Sequence, residues 1–312
     1  MKKNDIKNDK NNNDKSFAKV RLNWYPGHMA KTRRQIEQDI KIVDIVIELL
    51  DSRIPISSRN PDIVNITAKK KRIIVLNKCD LSDENKNNQW VAYFKNKGIP
   101  AVLTDSNSGR GIDNCIKEIE KIMEDQLNIQ AQKGRIGRKI RAMVLGIPNV
   151  GKSSFINRIS KRTTAGVGNK PGVTKQKQWI RINDKIELLD TPGVLWPKFE
   201  SEEVGLNLAF AGTIKEEILP KEEIAYQLVK YLLKDYRKNI CDRYGITEEF
   251  IEEKLSQEQP ENMNIYEIML EIGRKRGCII SGGNIDEEKT ARIILDEFKN
   301  GKLGKITLEM VQ

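Results

Sequence analysis

One octapeptide restricts the fold more than any other feature of the chain. Gly146-Ile147-Pro148-Asn149-Val150-Gly151-Lys152-Ser153 reads GxxxxGK[ST]. Met143-Val144-Leu145 leads into it as a strand, and Ser154-Phe155-Ile156 leaves it as a helix. That succession turns consecutive backbone N–H groups inward, where they cradle phosphate oxygens. Val150, Gly151 and Ser154 are expected in the cradle. Lys152 is expected to reach the outer phosphates, and the Ser153 hydroxyl to ligate magnesium.

A second signature stands upstream. Asn77-Lys78-Cys79-Asp80 follows the apolar run Ile73 to Leu76 and reads NKxD. The Asp80 carboxylate can accept from guanine N1–H and the 2-amino group. Adenine offers neither donor, so it would leave a buried carboxylate unpaired. Lys78 is expected to lie along the base and Asn77 to brace the loop. Ser106-Asn107-Ser108, after the strand ending at Thr104, is expected to close over the base through backbone N–H groups. Downstream, Asp190-Thr191-Pro192-Gly193 reads DxxG. Asp190 would hold magnesium through water and the Gly193 N–H would sense the γ-phosphate. Thr174, in Pro171-Gly172-Val173-Thr174, is the expected second hydroxyl ligand to magnesium. Lys152, Thr174 and Gly193 are thus the candidates for acting on the transferred phosphoryl group, with GTP, GDP and magnesium as the implied ligands.

The order of these motifs is informative. Base-reading elements come first, and phosphate and switch elements follow, the reverse of familiar GTPases. A sheet tolerates such rearranged connections if its strands still meet in the same places. The pattern predicts a circularly permuted P-loop GTPase, an α/β fold of three layers around a mostly parallel sheet, followed by a smaller helical domain. Strands are expected over Val43 to Leu50, Arg72 to Asn77, Ile99 to Thr104 and Lys139 to Gly146. Gln178 to Ile182 and Lys185 to Asp190 read as an edge hairpin across Asn183-Asp184. Helices are expected over Gln89 to Lys97, Ile112 to Leu127 and Lys152 to Ile159. After Pro197 the spacing is helical over Glu203 to Ala211, Lys221 to Tyr236, Thr247 to Leu255, Met263 to Arg276 and Asp286 to Asn300. Lys305 to Leu308 is the exception and reads as strand. The resulting division is a disordered polar tail over 1–18, the permuted domain over 19–198 and the helical domain over 199–312. The tail follows from residues 1–15, which are nearly all Lys, Asn and Asp and cannot offset their ordering entropy.

Composition narrows the partners. Lys and Arg number 55 against 44 Asp and Glu in 312 residues, a formal charge of +11, which favours polyanionic partners. No apolar run is long enough for a membrane span. Cys79, Cys115, Cys241 and Cys278 are too scattered for a disulfide framework or zinc cluster, and no apolar signal core opens the chain, so a reduced cytosol is the expected compartment. Seven basic residues and no acidic one lie between Arg158 and Arg181. Lys133, Arg135, Arg138, Lys139 and Arg141 form a second basic segment, and Arg274-Lys275-Arg276 with Lys299, Lys302 and Lys305 a third. These are candidate RNA-phosphate contacts or, alternatively, solvated basic faces.

With these motifs in place, the chain resembles the ribosome biogenesis GTPase A family of permuted bacterial GTPases. The resemblance rests on Trp24-Tyr25-Pro26-Gly27-His28-Met29, Asp51-Ser52-Arg53-Ile54-Pro55, the permuted nucleotide motifs and Cys278-Ile279-Ile280-Ser281-Gly282-Gly283. It implies a late step in assembly of the large (50S) ribosomal subunit, contacts to 23S ribosomal RNA and ribosomal proteins, and hydrolysis stimulated by the particle. No membrane is implied, and a monomer is expected off the ribosome. The glutamine that often follows DxxG is Val194 here, an apolar side chain that cannot orient water. The resemblance suggests His28, the single histidine, as the catalytic replacement; read from its neighbours alone, His28 is equally a helix-start residue. Asn149 resembles the phosphate-loop asparagine of potassium-activated GTPases, which helps hold a monovalent cation, and is otherwise a turn-favouring residue after Pro148. Two other classes stay open on the residues: a GTPase that switches a protein effector, and a nucleotide-sensing RNA-binding module with negligible hydrolysis.

Overall fold

Seven consecutive residues, Ile45–Asp51, form strand β1, and every one of them is buried. A strand without polar alternation belongs in the middle of a parallel sheet covered on both faces, and β1 sits there. The computed structural model describes residues 29–134, 137–161, 179–189, 195–196, 199–214, 220–258 and 260–311. β1, β2 (Lys71–Asn77), β3 (Ala101–Leu103), β4 (Ile140–Leu145), β5 (Trp179–Arg181) and β6 (Ile186–Leu189) form a six-stranded sheet of order β3-β2-β1-β4-β6-β5. All neighbours are parallel except the β5–β6 edge pair. The turn between those two is tied by Asn183, whose Oδ1 accepts from Lys185 N at 2.9 Å and Ile186 N at 2.8 Å.

The permutation is visible in the connections. Successive strands step outward from β1 through β2 to β3, and the chain must then return across the sheet to place β4 on the other side of β1. Helix α4 (Ile112–Gln132) makes that return. Its stripe Ile112, Cys115, Ile119 and Met123 is buried in the core that holds Ile47, Val75 and Val144. Helix α5 (Lys152–Lys161) joins the same core through Phe155, Ile156 and Ile159. The opposite face is covered by α1 (Met29–Asp39) and α2 (Pro61–Ile66), with Ile36 and Ile63 against Val46 and Met143. Helix α3 (Glu84–Asn96) adds Trp90 and Phe94 against Ile74 and Leu76. It begins five residues before the apolar spacing suggests, because the Asp83 side chain caps it by accepting from Lys86 N at 3.0 Å.

The C-terminal part comprises α6 (Glu202–Phe210), α7 (Lys221–Asp235), α8 (Arg237–Tyr244), α9 (Glu248–Leu255), α10 (Glu261–Lys275) and α11 (Glu287–Lys299). Side-chain caps at Ser201, Thr247 and Asp286 start α6, α9 and α11. Helix α8 was not apparent from spacing; it is short and largely polar, and Tyr236 both ends α7 and precedes it. The apolar core is continuous from the sheet through Leu208, Leu228, Ile294 and Leu308. Lys305 to Leu308 belongs to no strand, with a bend at Lys305. Its backbone donates from Ile306 to Leu81 O at 3.0 Å and from Leu308 to Arg53 O at 2.8 Å, pinning loops rather than joining the sheet. No helix among the described residues is long and apolar enough to cross a membrane, and all four cysteines are free thiols.

A buried ion pair locks the two parts together. Arg53, 1% exposed, donates from Nε to Asp51 Oδ1 at 3.0 Å and from Nη2 to Oδ2 at 2.8 Å. Its Nη1 reaches Phe298 O and Lys299 O at the end of α11, at 3.4 and 3.3 Å. Burial alone would raise the Asp51 carboxyl, but the Arg53 and Lys78 cations outweigh it and hold the group well below the usual carboxylate range. An acid with a depressed folded pKa stabilises the fold above its unfolded value, ordinarily 3.8, and loses that contribution as pH falls below it. Asp51→Asn is therefore expected to cost about 3–5 kcal/mol at neutral pH, because it strands a buried guanidinium. The difference from wild type should narrow near pH 3; urea denaturation at both pH values checks it, and an equal gap at the two would refute the assignment.

Candidate functional site

The sheet order reverses between β1 and β4, and ligands in open α/β folds bind at the carboxyl ends of strands beside such a switch point. The loops after β2, β3 and β4 meet there around a cavity of about 1040 Å³. Asn77, Lys78 and Asp80 line it from the base-reading loop, with Ser106 and Asn107 beside them. Asn149, Gly151, Lys152, Ser153 and Ser154 line it from the phosphate loop. Val150 contributes differently: its side chain is in the core and its carbonyl accepts from Asn77 Nδ2 at 2.9 Å. His28, Thr174, Asp190 and Gly193 lie outside the described residues, as does Val194.

Local geometry explains the residue types. A Cβ on Gly146 would lie 2.6 Å from Leu49 O, so only glycine lets β4 leave the sheet this close to β1. Gly151 has φ +98°, and a Cβ there would collide with the Asn77 amide. Two non-glycine residues, Lys78 (φ 60°) and Asn149 (φ 59°), also occupy the left-handed region, at a cost of roughly 1–3 kcal/mol each. Both are held by their side chains. Lys78 Nζ donates to Asn149 O at 2.7 Å and pairs with Asp51 Oδ2 at 2.9 Å; Asn149 Nδ2 donates to Gly212 O at 2.6 Å.

Asn77 braces more than its own loop. Besides the bond to Val150, its Oδ1 accepts from Thr104 Oγ1 and Ser106 N, each at 3.2 Å, and from Ser106 Oγ at 2.7 Å. The backbone N–H groups of Asn107 and Ser108 donate to Asp105 at 2.8 and 3.2 Å. The N–H groups expected to close over a base are therefore committed to shaping the loop, and Ser106 acts by fixing Asn77. Arg158 Nε donates to Ser106 O at 3.1 Å, so this member of the basic cluster also supports the loop.

The cavity suits a guanine nucleotide. Asp80 Oδ1 is buried without a hydrogen-bond partner. Burial pushes its carboxyl up, and neighbouring Asp105 adds to the shift. A base presenting two adjacent N–H donors would relieve that desolvation. At the other end, α5 directs its N-terminal backbone N–H groups and the positive end of its dipole at the cavity. Lys152, 9% exposed, donates from Nζ to Gly146 O at 3.1 Å and Ile147 O at 2.8 Å, which holds an ammonium at the loop before any phosphate arrives.

Comparison with known proteins agrees with this geometry. Residues 141–229 match the family model described as "50S ribosome-binding GTPase". Ribosome biogenesis GTPase A of Bacillus cereus is 43% identical, over 92% of this chain and 93% of that protein. The chain belongs to the ribosome biogenesis GTPase A family. Mitochondrial ribosome-associated GTPase 1 of Mus musculus is 33% identical over 92% of this chain and 89% of its own length. Among solved structures, GNP-bound YlqF from T. maritima superposes with a TM-score of 0.60 at 25% identity, covering 90% of this chain and 98% of that one. This member of the family is a GTPase that binds guanine nucleotide.

Two cavity residues escaped motif reading. Lys299 and Asn300, from the end of α11, line the same space as Asp80 and Lys152. No spacing rule links them to the other motifs; Lys299 reads from sequence as one of several basic residues. Replacing Asp80 with Asn should weaken GDP binding at least about a hundredfold, since the amide can accept only once where two donors arrive. Xanthine nucleotides, which present a carbonyl in place of the 2-amino group, should bind the variant better than the wild type. Competition titrations with the two nucleotide classes decide it.

Proposed function

We propose that the protein acts on the immature large (50S) ribosomal subunit at a late step of assembly, binding the particle in its GTP state and leaving after hydrolysis. The observation that carries this reading is full-length similarity to ribosome biogenesis GTPase A proteins, over 92% of the chain, together with a cavity assembled from the permuted motifs. Ribosomal RNA and ribosomal proteins would be its partners, and the cytosol its compartment. Arg274 and Lys275 are exposed, as are Ile279 and Ile280 a few residues along the chain, a mixed apolar and basic stretch of the kind that meets ribonucleoprotein. Several of the basic candidates are engaged in ion pairs, Arg274 with Glu271 among them. Arg138 pairs with Asp44 at 2.8 Å, Arg141 with Glu187 at 2.9 Å, and Arg276 with Glu297 at 3.1 Å.

Magnesium would be held by Ser153, which lines the cavity, with Thr174 and, through water, Asp190. When bound it supplies charge at the phosphates. Lys152 and the α5 N-terminus would bind the same oxygens, and the Gly193 N–H would report the γ-phosphate. With Val194 unable to orient water, turnover depends on a group brought in by the particle encounter, and His28 is the residue proposed for that role. GTP hydrolysis should rise at least about tenfold when purified large subunits are added, and His28→Ala should remove the stimulation while sparing nucleotide affinity. Equal hydrolysis with and without subunits, nucleotide binding being intact, would instead favour a GTPase that switches a protein effector.

Asn149 supports a second element of the mechanism. Its Nδ2 is occupied by Gly212 O at 2.6 Å, which leaves the amide oxygen as the donor available to a monovalent cation beside the phosphates. Potassium would supply charge that other GTPases obtain from an arginine. Hydrolysis should be faster in potassium than in sodium chloride, and Asn149→Ala should abolish the difference; equal rates in both salts for the wild type would discard the cation.

A further inference from the structure

The nucleotide cavity has a wall that belongs to none of the GTPase motifs. A helix C-terminus carries partial negative charge and is poor company for phosphates, yet the end of α11 borders the cavity. Two features reverse its sign. Arg53 Nη1 covers the terminal carbonyls of Phe298 and Lys299 at 3.4 and 3.3 Å. Lys299 then places an ammonium where the helix ends, with its side chain only 18% exposed.

The Lys299 side chain packs beside a segment that is bonded to the phosphate loop. A Cβ on Gly212 would lie 3.3 Å from Lys299 Cδ and Cε, and Gly212 O is the acceptor for Asn149 of the phosphate loop. Two residues beyond Lys299, a Cβ on Gly301 would lie 2.6 Å from Leu81 Cδ2, next to base-reading Asp80. Lys299 thus lines the cavity that the base-reading and phosphate loops share. Its ammonium stands 3.6 Å from Asp296 Oδ1, a long contact to a half-exposed carboxylate that an anionic ligand can replace.

We infer that Lys299 is a nucleotide-binding residue supplied by the C-terminal part, its ammonium meeting a phosphate oxygen of the bound guanine nucleotide. The C-terminal part then completes the nucleotide site. Asp51 links the two sides, since it pairs at once with Lys78 under the phosphate loop and with Arg53 at the end of α11.

The test measures GDP and GTP affinity of the full chain by titration calorimetry, with thermal melting as the check on folding. Lys299→Met should bind both nucleotides about tenfold more weakly, as expected for loss of a hydrogen bond to a charged group. Lys299→Arg should retain affinity, and the deficit of the Met variant should shrink as sodium chloride screens the charge. Asp296→Asn removes a competing carboxylate and should tighten binding. Unchanged affinity in both Lys299→Met and Asp296→Asn, or a loss that arginine fails to restore, would overturn the inference. No ribosomal particle enters this measurement, so its failure is distinct from failure of the assembly role.

Discussion

The side chain of Asn77 holds the nucleotide site in one piece. Its amide nitrogen binds Val150 O in the phosphate loop, and its oxygen gathers Thr104 and Ser106 from the loop after β3. Those segments come from three different strands, and in this chain the base-reading strand precedes the phosphate strand. Permutation changed which loop is covalently joined to which. It left the site intact because the site is joined by side-chain hydrogen bonds at the sheet edge, not by chain order. The strain at Lys78 and Asn149 belongs to the same arrangement: each left-handed residue is held through a side-chain bond to a neighbouring segment.

The second constraint is the Asp51–Arg53 pair. Buried ions are retained only with close geometry and further hydrogen bonds, and here every arm of the guanidinium is used. Because β1 is the central strand, its carboxyl end lies between the nucleotide loops on one side and α11 on the other. Seating of the C-terminal helices and shape of the nucleotide cavity are therefore set by the same carboxylate. The segment ending at Leu308 adds backbone bonds to Arg53 and Leu81, so the C-terminal part grips both loops that follow β1 and β2.

Much of this was legible in the residues. The phosphate loop and NKxD each encode a local backbone shape with its own chemistry, and their order alone required a permuted sheet. β1 was recognisable from an apolar run interrupted only by Glu48, and α4 from its stripe of Ile112, Cys115, Ile119 and Met123. Helix starts were harder. α3 depends on the Asp83 cap more than on apolar spacing, and α8 presents few apolar residues to detect. Lys305 to Leu308 has strand composition but finds loop carbonyls in place of a sheet edge.

By itself the sequence determined the chemistry of each loop, because glycine positions, a terminal lysine and a carboxylate act through their immediate backbone. It also determined the strand succession, since apolar runs specify which segments must be buried. Tertiary structure decided which loops share a cavity, that Ser106 serves Asn77, that Arg53 covers the end of α11, and that Lys299 faces the nucleotide site. Those outcomes join residues far apart along the chain. They depend on how helices and strands pack across the sheet, a relation that neither periodicity nor motif spacing carries.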